Sequence, residues 1–255
     1  MLLRVGEEAI DFALCKDLRE NAEVFAHGTK EIQSFSVESS LNEVILQAKG
    51  NAPIKRVVMT FSPLVFKAAV SKTLFSRSVP AKSMNDQESH AIEKAVFEQA
   101  EEKTRKSLTQ SSGILSADFH GNSTEILTRR IDGYPVTRLQ GFKGTSIELV
   151  LLQTYLLSAP TRLLQQLSRK QGMPAITVLH LAQALERFGR KKRKNGIYLH
   201  IAEESSEIAV WKDGVFALTE AIPLGGTHFT KVFENVLGMR KNTAQEFQER
   251  YFAGK

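Results

Sequence analysis

Six histidines (His27, His90, His120, His180, His200 and His228) and a single cysteine, Cys15, are the residues that could ligate a metal or serve as base and nucleophile. None of the histidines stands at metal-ligand spacing from Cys15 or from a carboxylate pair. Cys15 has no recognisable partner base to raise its thiolate fraction. Asp118 and His120 are close in sequence, but strand alternation produces such pairs without chemistry. His180 precedes a helical stretch, which suits a packed or capping role. Ser111-Ser112-Gly113 reads as a helix-ending loop, and Trp211, beside a turn, as a sheet-packing residue. Arg190, Lys191, Lys192, Arg193 and Lys194 form an unbroken basic row. It would suit an anionic lipid surface but is read more simply as a solvated loop. The run with the most chemical content is Ala202-Glu203-Glu204-Ser205-Ser206-Glu207, between two apolar stretches, followed by Gly225-Gly226-Thr227 at the start of a helical one. Small residues let backbone N–H groups approach a phosphate, and hydroxyls can donate to it.

The elements that must position these residues belong to an ordinary folded chain. Its 255 residues are 42% hydrophobic and 24% charged, with 16 Gly and 7 Pro, which excludes disordered and collagen-like classes. At ~100–200 residues per domain, one large domain or two smaller ones fit. No stretch approaches the ~18 uninterrupted apolar residues of a membrane helix. Residues 148–157 come nearest but are broken by Gln153 and followed by Pro160. Arg4, Glu7, Glu8 and Asp11 leave no apolar signal-peptide core, and one cysteine cannot form an internal disulfide, so a cytoplasmic protein is expected. The formal net charge is +6. Without the five-residue basic row it falls to roughly +1, which leaves no broad basic face for nucleic acid.

Along the chain, residues 2–14 read as a strand or hairpin turning at Gly6, and 31–37 as a further strand. Residues 41–48 read as a helix, and 56–61, between Pro53 and Pro63, as a short buried strand. The clearest helix is 86–110, with Asn85 or Asp86 as cap, Gly113 as stop, and an apolar face of Ala91, Ala95, Val96, Ala100 and Leu108. Strands at 123–131, 134–139 and 145–157 follow, with Asp132-Gly133 a strong turn signal. Then come a helix at 161–171, a strand at 175–179, a helix at 181–188 and the basic loop. Strands at 196–210 and 214–222 form a hairpin around Lys212-Asp213-Gly214, and helices at 229–237 and 243–251 close the chain. This mixture predicts an α/β fold.

The closing run of strand, Ala202–Glu207 segment, hairpin, Gly225-Gly226-Thr227 and two helices resembles the second phosphate segment of the actin-like ATPase superfamily. Within that superfamily it is most similar to the bacterial cell-division family FtsA. Leu3-Arg4-Val5-Gly6, with the residues through Ala13, matches the first phosphate segment in layout. The family's inserted subdomain fits residues 86–157 in order and length, and Asp132-Gly133-Tyr134 and Gly141–Gly144 are similar to its turn signals. The resemblance implies an actin-like (ribonuclease H-like) α/β fold with an inserted strand-helix-strand-strand subdomain. Residues 1–61 and 159–190 would form the first actin-like subdomain, 62–158 the insert, and 195–255 the start of a second, incomplete subdomain with apolar surface exposed. It also implies a scaffold that meets other cell-division proteins, including a tubulin-like ring protein, and self-associates, with at most peripheral contact to the inner membrane. A PilM-like adaptor for type IV pilus assembly and a working ATPase are the rival readings.

In this superfamily two hairpins grip the nucleotide, and each supplies an acid that holds Mg²⁺ or its waters and orients the attacking water. The position of the first acid is held here by Arg4 and that of the second by His200. Gly6 survives in the first segment, while Ala202 and Glu203 replace both glycines of the second. Gly6, Ser205, Ser206, Gly225, Gly226 and Thr227 are what remains of a phosphate cradle. Glu204 or Glu207 could stand in for a lost acid, though ordinary hairpin roles suit them better. The resemblance therefore implies a degenerate site, with no catalytic residue, no resident metal, and ATP or magnesium as cofactors by resemblance alone.

Overall fold

The computed structural model describes residues 1–6, 9–15, 23–32, 37–51, 53–170, 172–192 and 195–252. Glu7, Glu8, the middle of the 31–37 stretch, Gln171, residues 193–194 and 253–255 lie outside the described residues, as do the side chains of 190–192.

The first sheet carries the strands β1 (Leu2–Val5), β2 (Ala9–Cys15), β3 (Val24–Glu31), β4 (Arg56–Phe61) and β9 (Ala175–Val178), in the order β3-β2-β1-β4-β9. β1, β2 and β3 are antiparallel neighbours, while β1-β4 and β4-β9 run parallel. Alternation along β1, β2 and β4 turns Leu3, Val5, Ile10, Leu14, Val57 and Met59 to one face, where α1 (Val37–Asn51) contributes Leu41, Val44 and Ile45 and α3 (Ser158–Ser168) contributes Leu167. Each such side chain, fully buried, stabilises the fold by ~1.5–3 kcal/mol. The strand expected at 31–37 is displaced: the strand ends at Glu31, and Val37 already begins α1. β3 escapes a hydrophobicity reading because it is an edge strand whose residues are mostly half-buried or exposed.

The second sheet, in the order β5-β8-β6-β7, is built from β5 (Phe66–Ser76), β6 (Phe119–Ile131), β7 (Tyr134–Val136) and β8 (Ser146–Leu157) and is antiparallel throughout. Against it lies α2 (Asp86–Ser112). Asn85 caps this helix by accepting from the Glu88 N–H, and Gly113, at φ 71°, ends it in the left-handed conformation. Its buried face is Ser89, Ile92, Val96, Ala100 and Thr104, which corrects the expected face: Ala91 and Ala95 are exposed. Ile92, the larger apolar group, sets the rotation. β7 is shorter than expected because Pro135 cannot donate to a ladder and confines the strand to the sheet edge.

The third sheet, in the order β10-β11-β12, comprises β10 (Gly196–Ile201), β11 (Ser206–Lys212) and β12 (Val215–Ile222). The single strand expected over 196–210 is two strands, because Ala202–Ser205 closes a turn with an Ala202 N–H to Ser205 carbonyl bond of 2.8 Å. Trp211 packs edge-on to Tyr198 and Phe216, at centroid distances of 4.8 and 4.6 Å. Helix α4 (Leu181–Lys192) crosses this sheet. A Cβ at Gly189 would lie 2.2 Å from the Trp211 indole nitrogen, so this close crossing requires glycine. α4 also corrects the loop expected for the basic row, whose first three residues are helical. A helix C-terminus favours cations there. α3 begins and ends earlier than expected, with Pro160 tolerated in its first turn. α5 (Gly226–Leu237) and α6 (Lys241–Phe252) close the described chain as a packed pair.

Candidate functional site

The turn after β1 and the turn after β10 meet at one cleft of about 170 Å³, lined by Arg4, Gly6, Ala9, Asp11, Thr29, Ser62 and residues 202–205. The two segments read from the sequence as phosphate grips are therefore brought together. The first presents a row across four strands: Thr29, Asp11, Arg4 and Thr60 occupy consecutive register positions on β3, β2, β1 and β4. The Arg4 Nη1 lies 3.7 Å from the Asp11 Oδ2, and the Thr29 hydroxyl donates to the Asp11 Oδ1 at 2.8 Å. Where the resemblance calls for a free acid, the cleft has a guanidinium already partnered by a carboxylate.

His200, on β10, is near enough to feel the Arg4 charge but does not line this cleft. Burial first, and the Arg4 charge second, hold the His200 imidazole below its ordinary pKa, so it is neutral at pH 7 and near Arg4. Several hydroxyls and amides of the second segment are engaged within the protein. The Ser206 hydroxyl donates to the Leu224 carbonyl at 2.6 Å, and Ser205 is buried. At the start of α5, the Gly226 N–H donates to the Ala202 carbonyl and the Thr227 N–H to the Glu203 carbonyl, both at 2.9 Å. The Thr227 hydroxyl also donates to the Glu203 carbonyl, at 2.9 Å. A helix N-terminus is an anion site because its first N–H groups are unpaired; here the hairpin's own carbonyls take them. Gly225 is required by contact: a Cβ there would stand 2.4 Å from the Glu203 carbonyl oxygen.

Glu203 and Glu204 line both this cleft and an adjoining trough of about 660 Å³ between α5 and α6, with Lys231, Glu234, Lys241 and Glu249. They lie between the two spaces, where a polyphosphate would meet carboxylate on both sides. The cleft is smaller than the ~300–1,000 Å³ usual for small-molecule sites. Among the described residues no three of His, Cys, Asp and Glu gather in a metal-holding group.

Glu207 sits elsewhere. It is buried, at 2% exposure, beside His180, at 3%, in a separate cavity of about 310 Å³. His180 is both packed and capping. Its Nε2 bonds the Phe66 carbonyl at 2.9 Å and its Nδ1 accepts from the Ala182 N–H at 3.0 Å, which assigns the proton to Nε2. The Glu207 Oε1 lies 3.4 Å from the same Nδ1. Burial pushes the Glu207 carboxyl up to about 7, and burial together with nearby Lys67 moves His180 down to about 4, against the pull of its bond to Phe66. Sequence reading missed this pair, which joins β5, α4 and β11.

Asp118 and His120 are joined through Ser158, whose hydroxyl donates to the Asp118 Oδ1 at 3.1 Å and meets the His120 Nε2 at 3.0 Å. The serine lies between acid and imidazole. A nucleophilic triad needs the imidazole between the other two, so this is a strand-to-helix fastening.

No family model matches the chain, and no curated protein matches it. Among solved structures, a chain of the PilM-PilN type IV pilus biogenesis complex is similar at 14% identity with a TM-score of 0.61, covering 98% of this chain and 68% of that one. A protein of Bacteroides thetaiotaomicron with an actin-like ATPase fold and unknown function is similar at 12% identity and a TM-score of 0.46, covering 94% of this chain and 77% of that one. The fold is thus the actin-like α/β fold expected from the sequence. No helix among the described residues is long and apolar enough to cross a membrane.

Proposed function

We propose that this chain is a catalytically silent adaptor on an actin-like frame, with a nucleotide cleft that has become a structural joint. The observation that carries the reading is the Arg4–Asp11 pair in the cleft, with His200 near Arg4, where the resemblance calls for two free acids to hold magnesium and the attacking water. Gly6, Ser205, Ser206, Gly225, Gly226 and Thr227 then hold the two hairpins and α5 together and bind no cofactor.

As an adaptor its work is to hold protein partners, in the cytoplasm and peripheral to the inner membrane. Of the two partner classes expected from the sequence, we take the pilus-assembly one as the working case, on a similarity of fold that spans 98% of the chain at a TM-score of 0.61. The printed name of that complex pairs PilM with PilN. The cell-division reading, with a tubulin-like ring protein as partner, rests on the resemblance of the Gly225-Gly226 helix and of residues 86–157 and is comparably supported.

The test is capture of an immobilised peptide from the cytoplasmic end of an inner-membrane pilus protein, beside the immobilised ring protein, with and without Mg-ATP. The expected result is capture by the peptide alone, equal in both conditions. Capture by the ring protein alone would return the reading to cell division, and capture that requires Mg-ATP would contradict the silent cleft.

A further inference from the structure

The cavity that Glu207 and His180 share lies where the second sheet meets the third, since β12 runs beside β5. At about 310 Å³ it falls within the ~300–1,000 Å³ usual for small-molecule sites, and it has no residue in common with the cleft lined by Arg4. Two of its polar groups are unengaged. Glu207 is buried at 2% exposure, and its Oε1 has no hydrogen-bond partner. The His180 Nδ1, 3.4 Å away, already accepts from the Ala182 N–H, and the ring's proton goes to the Phe66 carbonyl. The other groups facing this carboxyl are the Ala182 amide and the Thr219 hydroxyl, and among the described residues no lysine or arginine pairs with it. The second group is Lys67, half-buried in the cavity wall at the start of β5. Its ammonium makes no hydrogen bond or ion pair among the described residues, and burial holds it below its ordinary pKa against the pull of Glu220. Glu220 is exposed, so water weakens its field.

Below about pH 7 the Glu207 carboxyl keeps its proton. The cavity then offers an ammonium and an O–H as free donors, beside the apolar side chains of Leu108, Ile114 and Pro223. Free donors call for an acceptor, and Lys67 would repel a cation. One lysine balances one negative charge; a phosphate, with ~1.5–2 charges at neutral pH, would exceed it. We propose that this cavity binds a carboxylate carried on a short aliphatic chain, with Lys67 pairing its charge, Glu207 donating to one of its oxygens, and the chain lying against Leu108 and Ile114. Binding is then linked to a proton. An ionised Glu207 would repel the ligand, so affinity falls as pH rises through about 7.

Titration of sodium butyrate into the purified chain, followed by the amide resonances of Leu108, Ala182 and Thr219, tests this. The expected result is saturable shifts confined to the cavity walls, with an affinity about tenfold higher at pH 6 than at pH 8, as a group titrating at about 7 requires. Lys67→Met should lower the affinity at least tenfold and Lys67→Arg should retain most of it. Lys94→Met, exposed on α2, should leave it unchanged, and unchanged melting curves show that the variants fold. Glu207→Gln keeps a donor in place and should bind butyrate equally at both pH values. Acetyl-glutamate amide presents the same group from a peptide backbone: tighter binding of butyrate assigns the site to a free acid, tighter binding of the peptide probe to a partner's side chain, and either supports a carboxylate site. No saturation, inorganic phosphate bound as tightly as butyrate, indifference to Lys67→Met, or an undiminished pH dependence in Glu207→Gln would each overturn the proposal.

Discussion

Replacing Glu207 with Gln is expected to make the chain's stability far more dependent on pH, not less. The Glu207 carboxyl is raised to about 7 in the folded protein, mainly by burial, from an ordinary 4.5. The folded state therefore holds its proton more tightly than the unfolded one does. That contribution is fully present below pH 4.5 and is lost as pH rises through 7, about 3 kcal/mol at ~1.4 kcal/mol per pH unit. His180 works in the opposite sense. Lowered to about 4 from 6.5, it contributes stability that is present above 6.5 and lost as pH falls toward 4, again about 3 kcal/mol. Between pH 4 and 7 the two nearly cancel, so their joint contribution in the native chain is almost level. Glu207→Gln removes one side of that balance. The variant's stability relative to the native chain should rise by about 3 kcal/mol from pH 4 to 8, read from urea midpoints across that range. A constant difference between the two proteins would contradict the burial and partnering of the pair.

Arg77→Met is expected to destabilise the second sheet and α2 by about 1–3 kcal/mol, because the guanidinium is buried while its partner Glu88, 34% exposed, can still be hydrated when unpaired. The Arg77 side chain is only 1% exposed. Its Nε and Nη2 donate to the Glu88 Oε1 at 2.9 and 2.7 Å, and its remaining donors reach the Gly144 and Lys82 carbonyls at 3.0 and 3.1 Å. One side chain thus joins β5, the first turn of α2 and the loop before β8. Removing it takes a donor from the Gly144 and Lys82 carbonyls and from the Glu88 carboxylate, groups that water can partly reach. Exchange protection of the α2 amides should fall together with the melting temperature. If Arg77→Met melted within a degree of the native chain, the polar seam would not fasten α2 to the second sheet.

The particular elements show where sequence was informative. β4 is found over the expected residues 56–61 because its bounds are set by flanking prolines and a dense apolar run. The cap and stop of α2 were equally legible, since Asn85 and Gly113 act locally. The rotation of that helix was not, because Ile92 and Ala95 are both apolar and only the opposing sheet decides between them. That Arg4 and His200 stand at acid positions came from the resemblance alone. The partnering of Arg4 could have been seen from the sequence: a hairpin turning just after Gly6 sets residue 4 against residue 11, and the register does so. The Glu207–His180 pair had no local signal. The two residues are neighbours only because β11 and the start of α4 pack onto β5, an arrangement of three elements distant in sequence.

The cleft between the turns after β1 and β10 carries the central claim, and calorimetric titration of ATP into the purified chain, with and without Mg²⁺, addresses it most directly. With Arg4 held by Asp11, His200 neutral, the α5 amides bonded to Ala202 and Glu203, and two carboxylates in the way, no magnesium-dependent heat of binding is expected at nucleotide concentrations up to about 1 mM, which corresponds to a binding free energy weaker than ~4 kcal/mol. Tight binding that requires Mg²⁺ would contradict the silent cleft. So would metal-independent binding abolished by Arg4→Ala, since Arg4 would then have left Asp11 to serve as a phosphate ligand.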